Sequence, residues 1–250
     1  MLRFAANLTH LWAELPYLDR FDAAAEAGFK AVEVLFPYDV PAPETQKALR
    51  RNGLEMVLLN APGPNYAGGP RGFAALPGGE ARFDFDMRRA VRYAQALGAD
   101  LIHVMSGVAG GADAKATMIA NLKRAADGLP DGLSLLLEPL NGLAQPGYFL
   151  SSYDLAAEIL DAVGMPNVGL QYDSYHAQVI TGDALGTFQT MLPLIRHIQI
   201  GDAPARTPPG TGEIDFGALF ATIDASGYEG WISAEYTPDG RTETGLGWMP

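Results

Sequence analysis

The chain has 250 residues, enough to bury a large core and close to the usual length of a single α/β barrel. Its 29 acidic and 17 basic side chains give a formal net charge of −12. This charge argues against sustained binding to nucleic acid or to an anionic membrane, because both require a basic surface. Cysteine is absent, which excludes disulfides, thiolate nucleophiles and sulfur-ligated zinc.

Two features of the sequence bear on where the protein is located. The opening MLRFAANL has one basic residue and already follows a strand pattern, so we expect no secretory signal. No apolar run reaches the length of about 20 residues that a membrane-spanning helix needs. We therefore predict a cytoplasmic protein. Trp248 and Met249 in the tail indicate docking on an apolar surface, which would be compatible with a homo-oligomer.

The first half of the chain alternates short apolar runs with longer amphipathic segments. The pattern predicts strands at 3–7, 31–36, 54–60 and 100–105, and helices at 16–27, 42–52 and 83–97. Residues 61–82 are rich in Gly and Pro and show almost no periodicity. A loop of this length inside a compact domain is usually functional, and we interpret it as a lid.

The second half continues the same alternation. It predicts strands at 133–138, 168–173, 196–200 and 230–236, and helices at 112–129, 152–163, 183–193 and 215–226, the last with Asp215 as its N-cap. Eight strands and about seven helices in alternation predict parallel strands with helical crossovers. The strand count and the length favour a single (β/α)8 barrel over residues 1–250. An open sheet is disfavoured, because the turn NLTHLWAELP lacks a glycine-rich phosphate fingerprint.

Four consecutive predicted strands carry an oxygen-bearing side chain at or near their carboxyl ends: Glu138, Asp173, Gln199 and Glu235. Because active sites of such barrels lie at that end, we expect these four side chains to converge on one divalent metal ion. Three carboxylates and one amide oxygen suit Mg²⁺ or Mn²⁺ better than zinc. Without a cation the carboxylates would repel one another and raise one or more pKa values. Beneath this rim we expect mostly apolar layers.

Several segments together carry a resemblance that runs from end to end: MLRFAANL, GFKAVEVLFPYD, PRG, LLLEPLN, LQYDSYHAQ, HIQIGDAPARTPPGTGEID and AEYTPDGRTETGLGWM. In their order and spacing they resemble the hydroxypyruvate isomerase family of xylose-isomerase-like TIM barrels. The resemblance implies that Glu138 and Glu235 are proton donor and acceptor, and that Glu138, Asp173, Gln199 and Glu235 are metal ligands. Related ketose 3-epimerases usually carry histidine where this chain has Gln199, which favours the isomerase branch.

The resemblance implies a metal-assisted isomerase that interconverts hydroxypyruvate and tartronate semialdehyde, or a similar short 2-oxo acid. Moving a carbonyl along a hydroxyacid requires removal of a proton from the neighbouring carbon. A metal that chelates the carbonyl and hydroxyl oxygens stabilises the resulting enediolate as a Lewis acid. A carboxylate whose pKa is near the operating pH can take and return the proton. General chemistry therefore agrees with the roles implied for the two glutamates.

Other polar residues receive narrower interpretations. His176, expected in the loop beyond Asp173, is interpreted as a hydrogen-bonding partner of a substrate oxygen. Arg71 is the candidate for binding the substrate carboxylate, because a guanidinium fork matches that group. Glu33 lies inside an apolar strand, where an unpaired charge is costly, so it either reaches the site or pairs with an arginine. A structural role is expected for the remaining histidines: His10, His103 and His197.

Several other functions remain open from the sequence. They are a 2-oxo-tetronate isomerase acting on a four-carbon acid, a 3-epimerase of free ketoses, and a catalytically silent barrel that binds sugar acids. An endonuclease-type barrel acting on abasic DNA is disfavoured by the acidic charge and by the presence of only four histidines. A Schiff-base aldolase is disfavoured because no lysine falls on an inward strand position.

Overall fold

A computed structural model describes residues 1–62 and 71–249 of the chain. Eight parallel strands close into a barrel in which each strand pairs with its sequence neighbours and β1 pairs with β8. The strands are β1 (Arg3–Asn7), β2 (Ala31–Val34), β3 (Glu55–Asn60), β4 (Leu101–His103), β5 (Ser134–Leu137), β6 (Val168–Asp173), β7 (Ile195–Ile200) and β8 (Trp231–Ala234). The predicted closed (β/α)8 barrel is confirmed.

The helices of the described chain connect these strands. They are α1 (Asp19–Glu26), α2 (Ala42–Asn52), α3 (Glu80–Leu97), α4 (Gly111–Asp127), α5 (Tyr153–Val163), α6 (Ser174–Thr181), α7 (Ala184–Met191) and α8 (Phe216–Ala225). Short 3-10 helices lie at Pro37–Asp39, Leu192–Leu194 and Thr242–Gly245. Within residues 1–62 and 71–249, no helix combines the length and the apolar character that crossing a membrane requires.

Helix α6 is absent from the sequence prediction. Asp173 ends β6 and also caps α6, because its Oδ1 accepts a hydrogen bond from the backbone N–H of His176 at 3.1 Å. His176 therefore lies in the first turn of a helix, and its expected place in a loop is wrong. A strand that passes directly into a helix offers no Gly or Pro to mark the boundary. By contrast, the predicted N-cap of α8 is confirmed, since Asp215 accepts from the backbone N–H of Ala218.

The segment predicted as a lid, residues 61–82, is described only in part. Residues 63–70 lie outside the described residues, and α3 already begins at Glu80. Gly72 forms a bridge with Ser106, just beyond β4. Its φ is +95°, and a Cβ at this position would lie 2.1 Å from the Met105 carbonyl oxygen, so there is room only for glycine. This close contact attaches the segment at Gly72 to the carboxyl end of the barrel.

The barrel interior is apolar only near the amino ends of the strands. A small buried cluster there consists of Ala5, Ala31, Val57, Leu58 and Leu136, with Leu101 and Trp231 packed against it. Because side chains alternate along a strand, residues two positions further on point inward as well. These positions include Asn7, Glu33 and Glu138. A much larger apolar cluster contains the alternate strand residues and the buried helix residues.

The layer just beneath the rim is polar, which corrects the expectation of mostly apolar layers. It contains five buried side chains: Glu33, His103, Gln171, His197 and Ser233. Barrel closure pairs two of them: His197 Nε2 lies 2.7 Å from Glu33 Oε2, although these residues are 164 positions apart in sequence.

Candidate active site at the carboxyl end of the barrel

The four predicted ligand residues lie at the carboxyl ends of neighbouring strands. Glu138 directly follows β5, Asp173 ends β6 and Glu235 directly follows β8. Gln199 in β7 is in register with Asp173. All four side chains are buried. Parallel pairing of β5 to β8 therefore places the four oxygen-bearing groups at one edge of the barrel.

Shared hydrogen-bond donors show how closely the four groups approach one another. The Nε2 of Gln171 donates to Glu138 Oε2 at 2.9 Å and to Gln199 Oε1 at 2.7 Å. One guanidinium nitrogen of Arg206 donates to Asp173 Oδ2 at 2.9 Å and also to Glu235. The structure thus brings all four predicted residues around one small volume.

Part of this volume could hold a metal ion. Glu138, Asp173 and His176 each present a ligand atom, and these atoms lie within 4.8 Å of one another. Glu138 Oε1 is buried and has no hydrogen-bond partner among the described residues. A buried carboxylate oxygen without a donor is costly, and a bound cation would satisfy it. The residues present therefore fit a divalent cation.

The imidazole of His176 is fixed in one tautomer. Its Nδ1 accepts the backbone N–H of Asn141 at 2.9 Å, and the Asn141 side-chain amide approaches the same nitrogen at 2.9 Å. The Asn141 Oδ1 accepts from two backbone N–H groups, so its amide nitrogen faces the ring. Burial lowers the pKa of His176 to about 4, which keeps the ring neutral near neutral pH. The proton therefore resides on Nε2, which lies 4.0 Å from Glu138 Oε1 and acts as a donor toward the site.

The two candidate catalytic glutamates have raised pKa values. Burial raises the pKa of Glu138 well above its usual range, and the charges of Glu235 and Asp173 raise it further. Burial also raises the pKa of Glu235, although the charges of Arg206 and His10 oppose this shift. Both carboxyls are thus moved toward the pH range in which they could exchange protons. The repulsion between carboxylates expected from the sequence is present.

Glu33 reaches the site and pairs with a histidine, so the arginine alternative is wrong. His197 Nε2 lies 2.7 Å from Glu33 Oε2, and both side chains are fully buried. Glu33 Oε1 accepts from Asn7 and from Gln199, each at 2.7 Å. Burial alone would raise the pKa of Glu33, but the charge and hydrogen bond of His197 and the hydrogen bond from Gln199 outweigh it and lower the pKa.

Two histidines with expected structural roles contact the glutamates. His103 Nδ1 lies 3.3 Å from Glu138 Oε2, without hydrogen-bond geometry, and His10 Nε2 lies 3.6 Å from Glu235 Oε1. Burial lowers the pKa of His103 to about 3, and the charge of His197 contributes. Burial lowers the pKa of His10, against the opposing charge of Glu235. Both rings border the site.

Arg206 is the principal site residue that the sequence interpretation missed. It lies in the loop after β7 and joins Asp173 to Glu235. Burial disfavours its charge, but the carboxylates of Glu235, Asp173 and Glu138 outweigh burial and raise the pKa of Arg206. The sequence feature that could have indicated Arg206 is its position shortly after β7, the strand that carries Gln199. The sequence interpretation assigned carboxylate binding to Arg71 instead, because a guanidinium fork matches a carboxylate.

Arg71 is exposed and lies next to the anchored Gly72. Its charge acts on Tyr148, whose hydroxyl oxygen accepts from the backbone N–H of Ser106 at 2.8 Å. Arg71 therefore lies at the carboxyl end of the barrel, on the same side as the glutamates.

Comparison with known proteins agrees with this architecture. The family model described as xylose isomerase-like TIM barrel matches residues 21–250. A 2-oxo-tetronate isomerase from Cupriavidus necator is 44% identical, with 100% of this chain and 98% of the relative covered. The hydroxypyruvate isomerase of Escherichia coli is 42% identical over the same shares of the two chains. A crystal structure described as AP endonuclease, family 2 from Brucella melitensis is 42% identical with a TM-score of 0.96, covering 99% of this chain and 98% of that one.

Proposed function

We propose that this chain, which belongs to the xylose isomerase-like TIM barrel family, is a metal-assisted isomerase of short 2-oxo acids. Hydroxypyruvate and tartronate semialdehyde are the preferred substrate pair. The observation that carries the proposal is the convergence of Glu138, Asp173, Gln199 and Glu235 on one buried volume. Full-length relatives at 42–44% identity carry isomerase names, which supports the same reaction class.

Mg²⁺ or Mn²⁺ is the cation proposed for this volume, held by Glu138, Asp173, Gln199 and Glu235. The oxygen-only donor set favours a hard cation. When bound, the cation supplies Lewis acidity that stabilises negative charge on the substrate oxygens. His176 is close enough to be a ligand, but its Nε2 carries the proton, so we assign it to the substrate.

Glu138 and Glu235 are the proposed base and acid. Isomerisation of hydroxypyruvate removes a proton from the hydroxymethyl carbon and delivers one to the former carbonyl carbon. Without a bound cation both carboxyls have raised pKa values, which supports a role for each in accepting and returning a proton. Glu138 Oε2 already accepts a hydrogen bond from Gln171, so Oε1 is the oxygen of this carboxyl that remains to face the site.

Three cationic or donor groups are proposed to orient the substrate. His176 Nε2–H donates to a substrate oxygen, as the Asn141 contacts favour. Arg206 carries a positive charge against Asp173 and Glu235, where it balances charge that develops on the substrate. Arg71, exposed at the mouth, binds the substrate carboxylate. Together they favour a small anionic substrate over a neutral ketose.

A four-carbon 2-oxo acid is the second candidate substrate, because three relatives that align over nearly the full chain are named 2-oxo-tetronate isomerase. The two substrates differ by one hydroxymethylene unit, and both present the same 2-oxo acid group to the site. DNA cleavage, suggested by the description of the Brucella melitensis structure, is disfavoured by the formal net charge of −12.

A substrate panel tests the proposal most directly. Hydroxypyruvate, a 2-oxo-tetronate, a free ketose and abasic DNA are each incubated with the purified protein, with and without EDTA, and products are followed by NMR or electrophoresis. We expect turnover of a 2-oxo acid, loss with EDTA and recovery with Mg²⁺ or Mn²⁺. Turnover that survives EDTA would contradict the metal assignment. Turnover of the ketose alone would contradict the substrate class.

A further inference from the structure

Hydrogen bonds link Glu33 to three of the four proposed ligand residues, either directly or through one or two other side chains. It contacts Gln199 directly at 2.7 Å. Through the amide of Asn7, which also donates to Glu235 Oε2 at 2.7 Å, it is linked to Glu235. Through Gln199 and Gln171 it is linked to Glu138. No other described side chain makes this set of connections.

The hydrogen bond between Glu33 and Gln199 determines whether the oxygen or the nitrogen of the Gln199 side-chain amide faces the site. An ionised carboxylate can only accept hydrogen bonds, so Glu33 binds the Gln199 amide nitrogen. The Gln199 oxygen then points the other way, where it accepts from Gln171. A flipped amide would place its NH2 group toward a cation and its oxygen against Glu33, and both contacts would be repulsive. Only the observed orientation makes Gln199 a metal ligand.

The position of Glu33 is itself fixed. His197 Nε2 lies 2.7 Å from Glu33 Oε2, and neither side chain is exposed to solvent. Because the carboxylate only accepts, His197 is the donor of this hydrogen bond. The carboxylate is thus held in one rotamer with both oxygens engaged. Because its oxygens have no alternative partners, a carboxylate held in this way keeps the side chains that donate to it in a fixed orientation.

We propose that Glu33 is a positioning residue that orients Gln199 and Glu235 toward a bound cation without touching the cation or the substrate. The inference rests on the proposed metal-assisted function. It explains why a carboxylate is buried beneath the rim, where charge alone would be costly. Loss of the acceptor at position 33 releases Gln199 and Asn7, while the four ligand residues themselves remain.

The experiment compares Mn²⁺ binding by the wild type, Glu33→Leu and Glu33→Gln, with affinity measured by electron paramagnetic resonance of free Mn²⁺. Glu33→Leu removes every acceptor, and we expect affinity to fall about 10–100-fold, as for other residues that orient metal ligands. Glu33→Gln keeps one acceptor oxygen for Asn7 and Gln199, and it is expected to retain most of the affinity. Circular dichroism melting curves confirm that each variant is folded.

Each outcome bears on one claim. A wild type that binds no Mn²⁺ overturns the metal site and the inference together. A wild type that binds Mn²⁺, with Glu33→Leu binding equally well, overturns the inference alone. Equal weakening in Glu33→Leu and Glu33→Gln would show that Glu33 acts only through its charge, and it would also overturn the positioning role.

If Glu33→Leu does not fold, Gln199→Glu and the double variant Glu33→Gln/Gln199→Glu decide the question. Gln199→Glu places two carboxylates in contact, and they then share a proton that Mn²⁺ must displace. Adding Glu33→Gln removes one of the two carboxylates, so no proton is shared with the carboxylate at position 199, and we expect Mn²⁺ to bind more tightly than to Gln199→Glu alone. If Glu33 acted only through its charge, Glu33→Gln would instead weaken Mn²⁺ binding, because it removes a negative charge.

Discussion

The two halves of the barrel contribute different groups to its carboxyl end. Strands β5 to β8 carry the four oxygen-bearing side chains that converge there. Strands β1, β2 and β4 carry Asn7, Glu33 and His103, which contact those side chains from the other side. The second half therefore supplies the groups suited to bind a cation. Asn7 and Glu33 of the first half help to hold them in place, as do Gln171 and Arg206 of the second half.

The difference shows how one network can include residues with unlike roles. In the first half, Glu33 has protein partners for both carboxylate oxygens, as in its pair with His197, whereas the ring nitrogens of His103 have no hydrogen-bond partner among the described residues. In the second half, Glu138 keeps an oxygen with no partner within the described residues. A satisfied polar group is typical of support, whereas an unsatisfied one is typical of a place where a ligand binds. Substitutions in the two halves should therefore fail in different ways.

The largest effect is expected from the glutamates of the second half. Glu138→Gln and Glu235→Gln each remove a proton-transfer group, and we expect kcat on the 2-oxo acid to fall about 10²–10⁴-fold. Glu158→Gln is the matched control, since Glu158 is an exposed carboxylate paired with Lys115. Its kcat should equal that of the wild type. Near-normal turnover in either site variant would contradict the two-base mechanism.

A smaller effect is expected from substitutions of Asn7 in the first half, and Asn7→Asp should be more harmful than Asn7→Ala. Asn7→Ala frees Glu235 from one hydrogen bond, and we expect kcat to fall about 10–100-fold. Asn7→Asp has nearly the same shape, but it adds a negative charge between Glu33 and Glu235. It should therefore be worse than Asn7→Ala in kcat and in Tm. If Asn7 served only to fill space, Asn7→Asp would be the milder change.

The features that sequence could predict are those that one strand reveals by itself. Apolar runs and their spacing predicted the barrel, and each run ending in an oxygen-bearing side chain indicated Glu138, Asp173 and Glu235. Barrel topology then placed those strand ends together, because neighbouring parallel strands share one edge.

The features that sequence could not predict depend on closure or on turn geometry. The Glu33–His197 pair joins residues 164 positions apart and exists only because β2 and β7 face one interior. Arg206 reaches Asp173 and Glu235 from a loop, and a loop has no periodicity from which its direction could be read. The helical position of His176 follows from a cap made by Asp173, a residue already interpreted as a ligand.

The smallest expected effect is a pH-dependent difference in thermal stability between the wild type and the Glu138→Gln variant. In EDTA-treated protein, the pKa of Glu138 is raised above its usual value of 4.5 by burial and by neighbouring carboxylates. As pH rises above 4.5, the unfolded wild type ionises at this position before the folded form does. The wild type therefore loses stability until the pH passes the folded-state pKa. The amide of the Glu138→Gln variant does not ionise, so the Tm of this variant minus that of the wild type should widen from pH 4.5 upward.

Each 1 kcal/mol of this difference corresponds to a shift of about 2–4 °C in a chain of this size. Differential scanning calorimetry of the two metal-free proteins from pH 4.5 to pH 8 measures it, and the shifts of the remaining titrating groups largely cancel in the comparison. Excess Mn²⁺ should raise the Tm of the wild type more than that of Glu138→Gln, because the ion binds the folded variant more weakly. Glu33→Gln without metal should show no such widening between pH 4.5 and pH 8: the pKa of Glu33 is lowered, so the stability contributed by its carboxylate is fully present above pH 4.5 and is lost only as pH falls below 4.5 through the folded-state pKa. If the Tm differences of the two variants from the wild type changed with pH in the same way, Glu138 and Glu33 would not differ as proposed, with Glu138 available to a cation and Glu33 already paired within the protein.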